Sequence, residues 1–249
     1  MEKPRHAYLF VWWVYIASMM LLMAFISYAT FSRAQTKTDV RYVELVNPTY
    51  RVVYDLETLC PAMVAWQLDK RDLGKEVRTN VKYFKADTRL PSPRALYKDY
   101  TGTGWVRGHI LPAKDRSYSK PAQKSTFIMS NCAPMDGYLN QGDWLMAEAF
   151  TRSMAIRHRS VNVLAGTLFA GSITSFVGQS KIQIPSHLWR IVYVLEPDTL
   201  VSCFIFPNAG MMVGLRARQT KVLPPMPKRL RELLPKFLQS DTIRYKPLN

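Results

Sequence analysis

The chain has 249 residues, with 34 lysines and arginines against 18 aspartates and glutamates, which gives a formal net charge of +16. Hydrophobic residues make up 48% of the sequence and charged residues 21%, so there is enough apolar material for a core, and a wholly disordered chain is excluded. A positive charge of this size favours polyanionic partners, either nucleic acid or an anionic membrane surface. A basic surface without a specific partner is the alternative.

The first 34 residues predict a membrane anchor. Residues 7–32 carry no charge and are mostly apolar, and as a helix they would extend about 39 Å at ~1.5 Å per residue, more than the ~30 Å hydrocarbon core of a bilayer. We therefore interpret residues 1–34 as an uncleaved signal anchor that meets the membrane through residues 8–31. A cleaved secretory signal is the alternative, since Ser32 and Ala34 have the spacing of a cleavage site.

The side of the membrane is weakly determined, because basic residues flank the apolar run at both ends. The favoured arrangement is a single-pass protein whose body lies outside the cytosol, on the periplasmic or extracellular side or at an organelle membrane. Cys60, Cys132 and Cys203 allow either one disulfide with a free thiol or three reduced thiols, and so leave the compartment open.

Residues 35–47 are polar and predict a linker, and the body at 48–215 alternates short apolar runs with turn signals. A helix is predicted from 140 to 157, where large apolar side chains recur at helical spacing. Together these elements predict an α+β fold. Strands are predicted where β-branched and aromatic residues concentrate, at 51–56, 62–68, 82–84, 125–130, 161–165, 189–195 and 201–206.

Residues 216–249 form a basic tail with nine basic and two acidic side chains. An apolar stripe at helical spacing within it favours a terminal helix that packs on the domain, with docking on a membrane or on nucleic acid as the alternative. Pro235 is expected to shorten or kink that helix. The stripe consists of Leu230, Leu233, Leu234, Phe237 and Leu238.

His109 is the leading candidate among four histidines. It lies in the segment GTGWVRGHILPAKD, and the segment TFIMSNCAPMDGYLNQGDWLMAE then predicts a strand end, a turn and the start of the helix. Asn140 and Glu148 are eight residues apart, and on one helix they would lie on the same side, two turns apart. An amide oxygen and a carboxylate placed in this way suit a hard divalent cation that keeps most of its waters.

Three segments, WVRGHILPA, TFIMSN and LNQGDWLMAE, together resemble the DNA/RNA non-specific endonuclease family, which includes Serratia-type nucleases and mitochondrial endonuclease G. The resemblance covers roughly residues 48–210, and VRTNVKYFKADTRLP and IQIPSHLWRIVYVL also resemble family segments. It implies a central antiparallel sheet flanked by helices, with a ββα-metal active site. It also implies metal-dependent hydrolysis of phosphodiester bonds in DNA and RNA, leaving 5′-phosphate products.

The resemblance implies a role for each candidate residue. His109 would be the general base, which its near-neutral pKa suits. Asn140 would be the single protein ligand of a hydrated Mg²⁺, for which Mn²⁺ is a substitute, and Glu148 would orient metal-bound water. Arg107 and Arg78 would clamp the phosphate through their guanidinium groups.

Two positions depart from the family pattern. Val106 stands where the motif has Asp, and Met135 follows Pro134 where the family has Gln, which puts the geometry of the loop in doubt. An active enzyme is favoured, and a catalytically impaired nucleic-acid-binding membrane protein with the nuclease fold is the alternative. The expected partners are DNA and RNA substrates, the membrane and a second copy in a homodimer. The sequence identifies no inhibitor protein.

Overall fold

The computed structural model describes residues 41–75, 81, 83–171, 175–195, 200–209, 218–220 and 226–239. The membrane anchor predicted for residues 1–34 and the phosphate clamp predicted for Arg78 lie outside these ranges and stay predictions. Within the described ranges, no helix combines the length and the apolarity needed to cross a bilayer.

A seven-stranded antiparallel sheet forms the centre of the fold. The described ranges contain strands β1 (Tyr42–Asn47), β2 (Tyr50–Asp55), β3 (Cys60–Asp69), β4 (Val106–His109), β5 (Cys132–Met135), β6 (Ser160–Leu168), β7 (Phe176–Val177), β8 (Ile182–Gln183), β9 (His187–Val194), β10 (Leu200–Pro207) and β11 (Arg218–Thr220). The large sheet has the order β1-β2-β3-β6-β9-β10-β11, and β4-β5 and β7-β8 form two small antiparallel pairs. The predicted α+β class with a central antiparallel sheet is confirmed.

The helices are short apart from one. They are α1 (Lys120–Ser125), α2 (Gly137–Gln141), α3 (Asp143–His158) and α4 (Lys228–Glu232), with 3-10 turns at Lys70–Asp72, Tyr97–Tyr100, Ala113–Arg116, Met129–Asn131 and Lys236–Leu238. The single helix predicted from 140 to 157 is wrong at its start. Gly142 has φ −107° and ψ −107°, outside the helical region, so Asn140 belongs to α2 and Glu148 to α3.

Five of the seven predicted strands are confirmed, and two are wrong. The run at 125–130 is instead the end of α1 followed by a 3-10 turn. The hydroxyl of Thr126 donates a hydrogen bond to the carbonyl of Gln123. Around 82–84 no strand forms at the described residues Tyr83 and Phe84, and only an isolated bridge joins Lys85 to Ile128. Short apolar runs of this kind do not distinguish a strand from other buried segments.

The predicted linker at 35–47 is wrong over its last six residues, because these residues form β1. This strand pairs with β2 along its whole length, from Tyr42 opposite Asp55 to Asn47 opposite Tyr50. Just before it, the Arg41 guanidinium lies 2.8 Å from the carboxylate of Asp55. The compact unit begins at Arg41 rather than at 48, and β11 extends the sheet beyond 215 into the predicted tail.

Each face of the large sheet has its own apolar core. On one face, α3, β4 and β5 pack against alternate residues of the strands, Trp66, Val163 and Val192 among them. On the other face, the C-terminal segment packs through Met226, Leu230, Leu234 and Leu238. The predicted packing of the tail on the domain is confirmed for residues 226–239, except that Leu233 of the predicted stripe is exposed. α4 ends before Pro235, and a separate 3-10 turn follows it. All three cysteines are buried free thiols.

The two leucines Leu230 and Leu233 give a matched test of the second core. Leu230 is almost fully buried, whereas Leu233 keeps 52% of its surface. We expect Leu230→Ala to lower the free energy of unfolding by about 2–5 kcal/mol, because it leaves a cavity in a closed core. We expect Leu233→Ala to change it by less than about 0.5 kcal/mol. Urea denaturation measures both, and equal losses would contradict the packing of the tail.

Candidate active site

The strand pair β4-β5 places the candidate residues. His109 pairs with Cys132 and Arg107 with Pro134, and because successive side chains alternate, Arg107 and His109 point to the same side of β4. Gly108 points to the other side, where an added Cβ would lie 2.5 Å from Cε of the buried Met135. A glycine between Arg107 and His109 therefore allows the strand to lie tightly on Met135.

The buried Asn131 holds the chain that follows His109. Its Oδ1 accepts from the N–H of Leu111 at 2.9 Å, and its Nδ2 donates to the carbonyls of Leu111 and Thr126. The carbonyl of Asn131 also accepts from the N–H of Ile110 at 3.0 Å. Three of these four hydrogen bonds hold the backbone of Ile110 and Leu111, immediately after the candidate base, and the fourth reaches Thr126. Sequence reasoning missed this role, since an Asn in a polar segment gives no distinguishing signal.

The helices after β5 approach β4 from the other direction. Asp136 caps α2 by accepting from the N–H groups of Tyr138 and Leu139, and Gly137 lies beside the side chain of Val106. Farther along, the indole N–H of Trp144 donates to the carbonyl of His109 at 3.1 Å. Asn140 lies between these two points of contact, so the structure brings its turn of helix next to β4.

The imidazole of His109 lies between two aromatic rings. Its ring centroid is 4.5 Å from that of Phe84 and 4.8 Å from that of Phe127. Its Nε2 is buried without a hydrogen-bond partner in the described part of the chain. Burial lowers the pKa of His109 to about 4. The ring is therefore neutral at neutral pH and has a nitrogen able to accept a proton.

Asn140 is the predicted metal ligand. It is half-buried, and within the described ranges its side-chain amide makes no hydrogen bond, so its oxygen is available to a ligand. The same ranges hold no group of three or more His, Cys, Asp or Glu residues that could surround a metal ion. A hard cation here would be held by few protein oxygens and by water, which is a habit of Mg²⁺.

Arg107 is held more firmly than a phosphate clamp requires. Its Nε and Nη2 donate to the carbonyl of Tyr97 at 3.1 and 2.8 Å. Its guanidinium carbon also lies 3.7 Å from the centroid of the Tyr97 ring. Two of the three guanidinium nitrogens are thus engaged, and Nη1 has no partner in the described part of the chain.

Glu148 points into a buried group of charges rather than sharing a helix face with Asn140. Its carboxylate lies 3.6 Å from Arg152, which in turn lies 3.1 Å from the fully buried Asp115. Burial raises the pKa of Glu148 to about 7, while Arg190 and Arg152 oppose the rise. The shared face predicted for Asn140 and Glu148 is wrong because Gly142 separates their two helices.

Arg190 completes this group from β9 and has no exposed surface. Its guanidinium carbon lies 4.4 Å from the centroid of Trp144, and Nη1 and Nη2 are 3.4 Å from Thr151 Oγ1 and the carbonyl of Ile110. It therefore contacts the residue that holds His109 and the residue that follows it. Sequence reasoning missed Arg190, although a single charge inside the apolar run WRIVYV was a signal that it has a buried partner.

The family model for DNA/RNA non-specific endonucleases matches residues 27–225. The chain belongs to the DNA/RNA non-specific endonuclease family. The match begins before residue 48 and ends after 215, as β1 and β11 also require. The motif segments around His109 and Asn140 lie within it.

Several curated relatives support this membership. Human mitochondrial nuclease EXOG is 31% identical over 185 residues, covering 68% of this chain and 49% of that protein. Nuclease C1 of Cunninghamella echinulata var. echinulata is 34% identical over 155 residues, covering 57% and 62%. Human mitochondrial endonuclease G is 27% identical over 190 residues, covering 71% and 61%. The chain spans about half the length of the EXOG relatives.

A solved structure shows the same fold. The crystal structure of the EndoG/EndoGI complex, described as a mechanism of EndoG inhibition, contains a chain that matches with a TM-score of 0.65 at 20% identity. The match covers 82% of this chain and 89% of that one.

The buried imidazole predicts how stability depends on pH. Because the pKa of His109 is lower in the folded state, the unfolded state binds more protons between about pH 6.5 and 4. The stability contributed by the neutral ring is complete above pH 6.5 and is lost as the pH falls to 4, by about 3 kcal/mol. Urea denaturation across this range should show a weaker pH dependence for His109→Gln. An unchanged dependence would contradict the burial of this ring.

Proposed function

We propose that this protein is a metal-dependent, sugar-non-specific endonuclease that hydrolyses phosphodiester bonds of DNA and RNA and leaves 5′-phosphate products. The observation that carries the proposal is the neutral imidazole of His109, with an unpartnered nitrogen, fixed on β4 beside the helix that bears Asn140. Family membership supports the same reaction class. The net charge of +16 suits a polyanionic substrate.

His109 is the general base of this mechanism. A ring with a pKa of about 4 is unprotonated at neutral pH, so it is ready to take a proton from the attacking water. The rings of Phe84 and Phe127 fix its plane, and Trp144 and Asn131 fix the backbone at its carbonyl and just after it. Such fixed placement lowers the entropic cost of bringing base and water together.

Asn140 would hold the metal through its side-chain oxygen, and Mg²⁺ fits this sparse oxygen site, with Mn²⁺ as a substitute. When bound, the ion stabilises the negative charge that builds on the phosphate and the leaving oxygen. Glu148 would orient metal-bound water, a role that requires its carboxylate. Burial raises the pKa of Glu148 to about 7 although Arg190 and Arg152 oppose the rise, so the carboxylate form predominates only above about pH 7.

Arg107 would contact the phosphate through Nη1, since its other two nitrogens are bound to Tyr97. Arg78 remains the proposed second clamp. The departure at Val106 is accommodated locally, because Val106 keeps its backbone pairing with Met135 and packs at the edge of the core. The geometry of β4 is thus supported without the family Asp, which favours an active enzyme over an impaired one.

Two substitutions and a matched control test the site. We expect His109→Ala to lower the cleavage rate about 10²–10⁴-fold for plasmid DNA and for RNA, because the general base is lost. Asn140→Ala should abolish Mg²⁺-dependent cleavage, whereas Asn140→Asp keeps an oxygen ligand and should retain part of it. The rates are measured across a Mg²⁺ titration on variants whose urea denaturation midpoints match the native protein.

Full cleavage by His109→Ala or by Asn140→Ala would overturn the assignment. The second candidate function, a catalytically impaired nucleic-acid-binding protein, predicts salt-sensitive binding of DNA and RNA with no Mg²⁺-dependent cleavage at all. EDTA distinguishes the two functions, because it would stop cleavage by the nuclease and leave the impaired protein's binding unchanged.

Substituting Arg190 should lower the cleavage rate although Arg190 is not proposed to contact the substrate. We expect Arg190→Met to lower kcat about 10- to 100-fold with little change in KM, because it removes the support of Trp144 and of the Ile110 carbonyl behind His109. Arg116→Met is the matched control. Arg116 is also buried, but it donates to Thr49 and to the backbone carbonyls of Gln67 and Asp115 rather than to Ile110, so this variant should lose stability and keep kcat per folded molecule. Equal kcat losses would contradict a positioning role.

The location of the protein is a separate proposal. The signal anchor of residues 1–34, a body outside the cytosol and a homodimer stay predictions from the sequence. Several relatives carry the word mitochondrial in their names, and this agrees with the organelle-membrane alternative.

A further inference from the structure

One exposed aromatic ring, that of Tyr83, comes directly before Phe84 in the chain and belongs to neither apolar core. Tyr83 keeps 61% of its surface. The next residue, Phe84, contacts the ring of His109. Of these two neighbouring aromatic residues, Phe84 packs against the imidazole, and Tyr83 faces solvent at the rim of the site.

The position of Tyr83 is fixed from two sides. The backbone of Lys85 bonds to that of Phe127 and Met129 at 2.9 and 2.8 Å, which anchors the segment two residues further along. The ring of Tyr83 packs perpendicular to that of Tyr97, with centroids 4.9 Å apart. A ring held in this way loses little conformational freedom when a flat ligand stacks on it.

The same Tyr97 ring carries the guanidinium of Arg107. Tyr83 is therefore linked through Tyr97 to the proposed phosphate contact and through Phe84 to the proposed base. Arg107 and His109 are two residues apart on one side of a strand, about 6.6–6.8 Å along its axis. A nucleotide whose phosphate lies at these two groups would have its base within reach of the rim that Tyr83 forms.

We propose that Tyr83, supported by Tyr97, is a stacking subsite for an unpaired nucleobase next to the scissile phosphate. Base stacking on an aromatic side chain accepts every base, because every base has a π-face, so it adds affinity without sequence preference. Bases inside a duplex are already stacked on their neighbours. The subsite therefore favours single-stranded DNA and RNA over duplex DNA. This inference rests on the proposed function for the position of the phosphate.

The test is a binding experiment on the full chain in EDTA, where no cleavage competes. The probes are a fluorescent oligothymidylate and a duplex of the same length, at one salt concentration. We expect Tyr83→Ala to weaken binding of the single strand about 5- to 100-fold and binding of the duplex less than about twofold. Tyr83→Phe keeps the ring and should bind both probes like the native protein.

Phe176→Ala is the matched control, since Phe176 is also an exposed aromatic residue, at 47%, but lies in the small β7-β8 pair. It should leave both affinities unchanged. The proposal is overturned if Tyr83→Ala keeps its affinity for the single strand, if it loses affinity for both probes equally, or if Tyr83→Phe loses as much as Tyr83→Ala. Binding with these signatures but without cleavage in Mg²⁺ would support the subsite and reject the nuclease. Cleavage with no effect of Tyr83→Ala would do the reverse.

Discussion

The hydrogen bond from the Trp144 indole to the carbonyl of His109 joins the two halves of the site. Trp144 belongs to α3, the helix that covers one face of the large sheet, and His109 ends β4, which is not part of that sheet. The bond adds a link from β4 to this helix, besides the pairing with β5 and the bond from Arg107 to Tyr97. Beneath the indole lies Arg190, so a cation on the central sheet supports the contact that fixes the candidate base.

Because Arg190 is buried in this arrangement, its positive charge needs buried partners of opposite charge nearby. A lone buried cation is costly, and here Glu148 and Asp115 lie close enough to offset it, with Arg152 between them. Trp66 donates from its indole to Asp115 at 3.2 Å, which satisfies one more oxygen. Glu148 is therefore both a counter-charge of the scaffold and a candidate for the site. Protonation of Glu148 would therefore affect both the stability of the buried charges and the candidate site.

The sequence was most informative where one physical signal dominated. β-branched and aromatic runs predicted five of the seven strands of the large sheet, β2, β3, β6, β9 and β10, because strands buried on both faces are apolar along their length. Such signals are weak where the structure depends on the backbone of a single residue. Gly142, for example, divides a helix that the apolar spacing predicted to be continuous. The polar stretch before 48 was also misleading, because β1 lies at the edge of the sheet and buries only Leu45 of its six residues.

For the site, the motif singled out His109 and Asn140 as candidates, but it could not show what surrounds them. Asn131 bonds to Leu111, 20 residues away in the chain, and Arg190 lies against Ile110, 80 residues away. Arg107 bonds to Tyr97, 10 residues away. No local periodicity records such pairings. The burial that lowers the pKa of His109 comes from Phe84 and Phe127, on two different segments, so the near-neutral pKa expected from the residue type alone differs from the pKa in the fold.

Basic residues of the tail and the candidate base lie on opposite faces of the large sheet. Residues 226–239 of the basic tail pack on the face opposite to α3, with Lys228 and Arg229 exposed there. A sheet with a packed layer on each side separates them from His109 by roughly two ~10 Å layers, which exceeds the ~8 Å Debye length at physiological salt. Their field can raise the local concentration of a polyanion but is screened at the site itself. Selection among nucleic acids would therefore come from groups on the side of His109, such as Arg107 and Tyr83, for which direct contacts with substrate are proposed above.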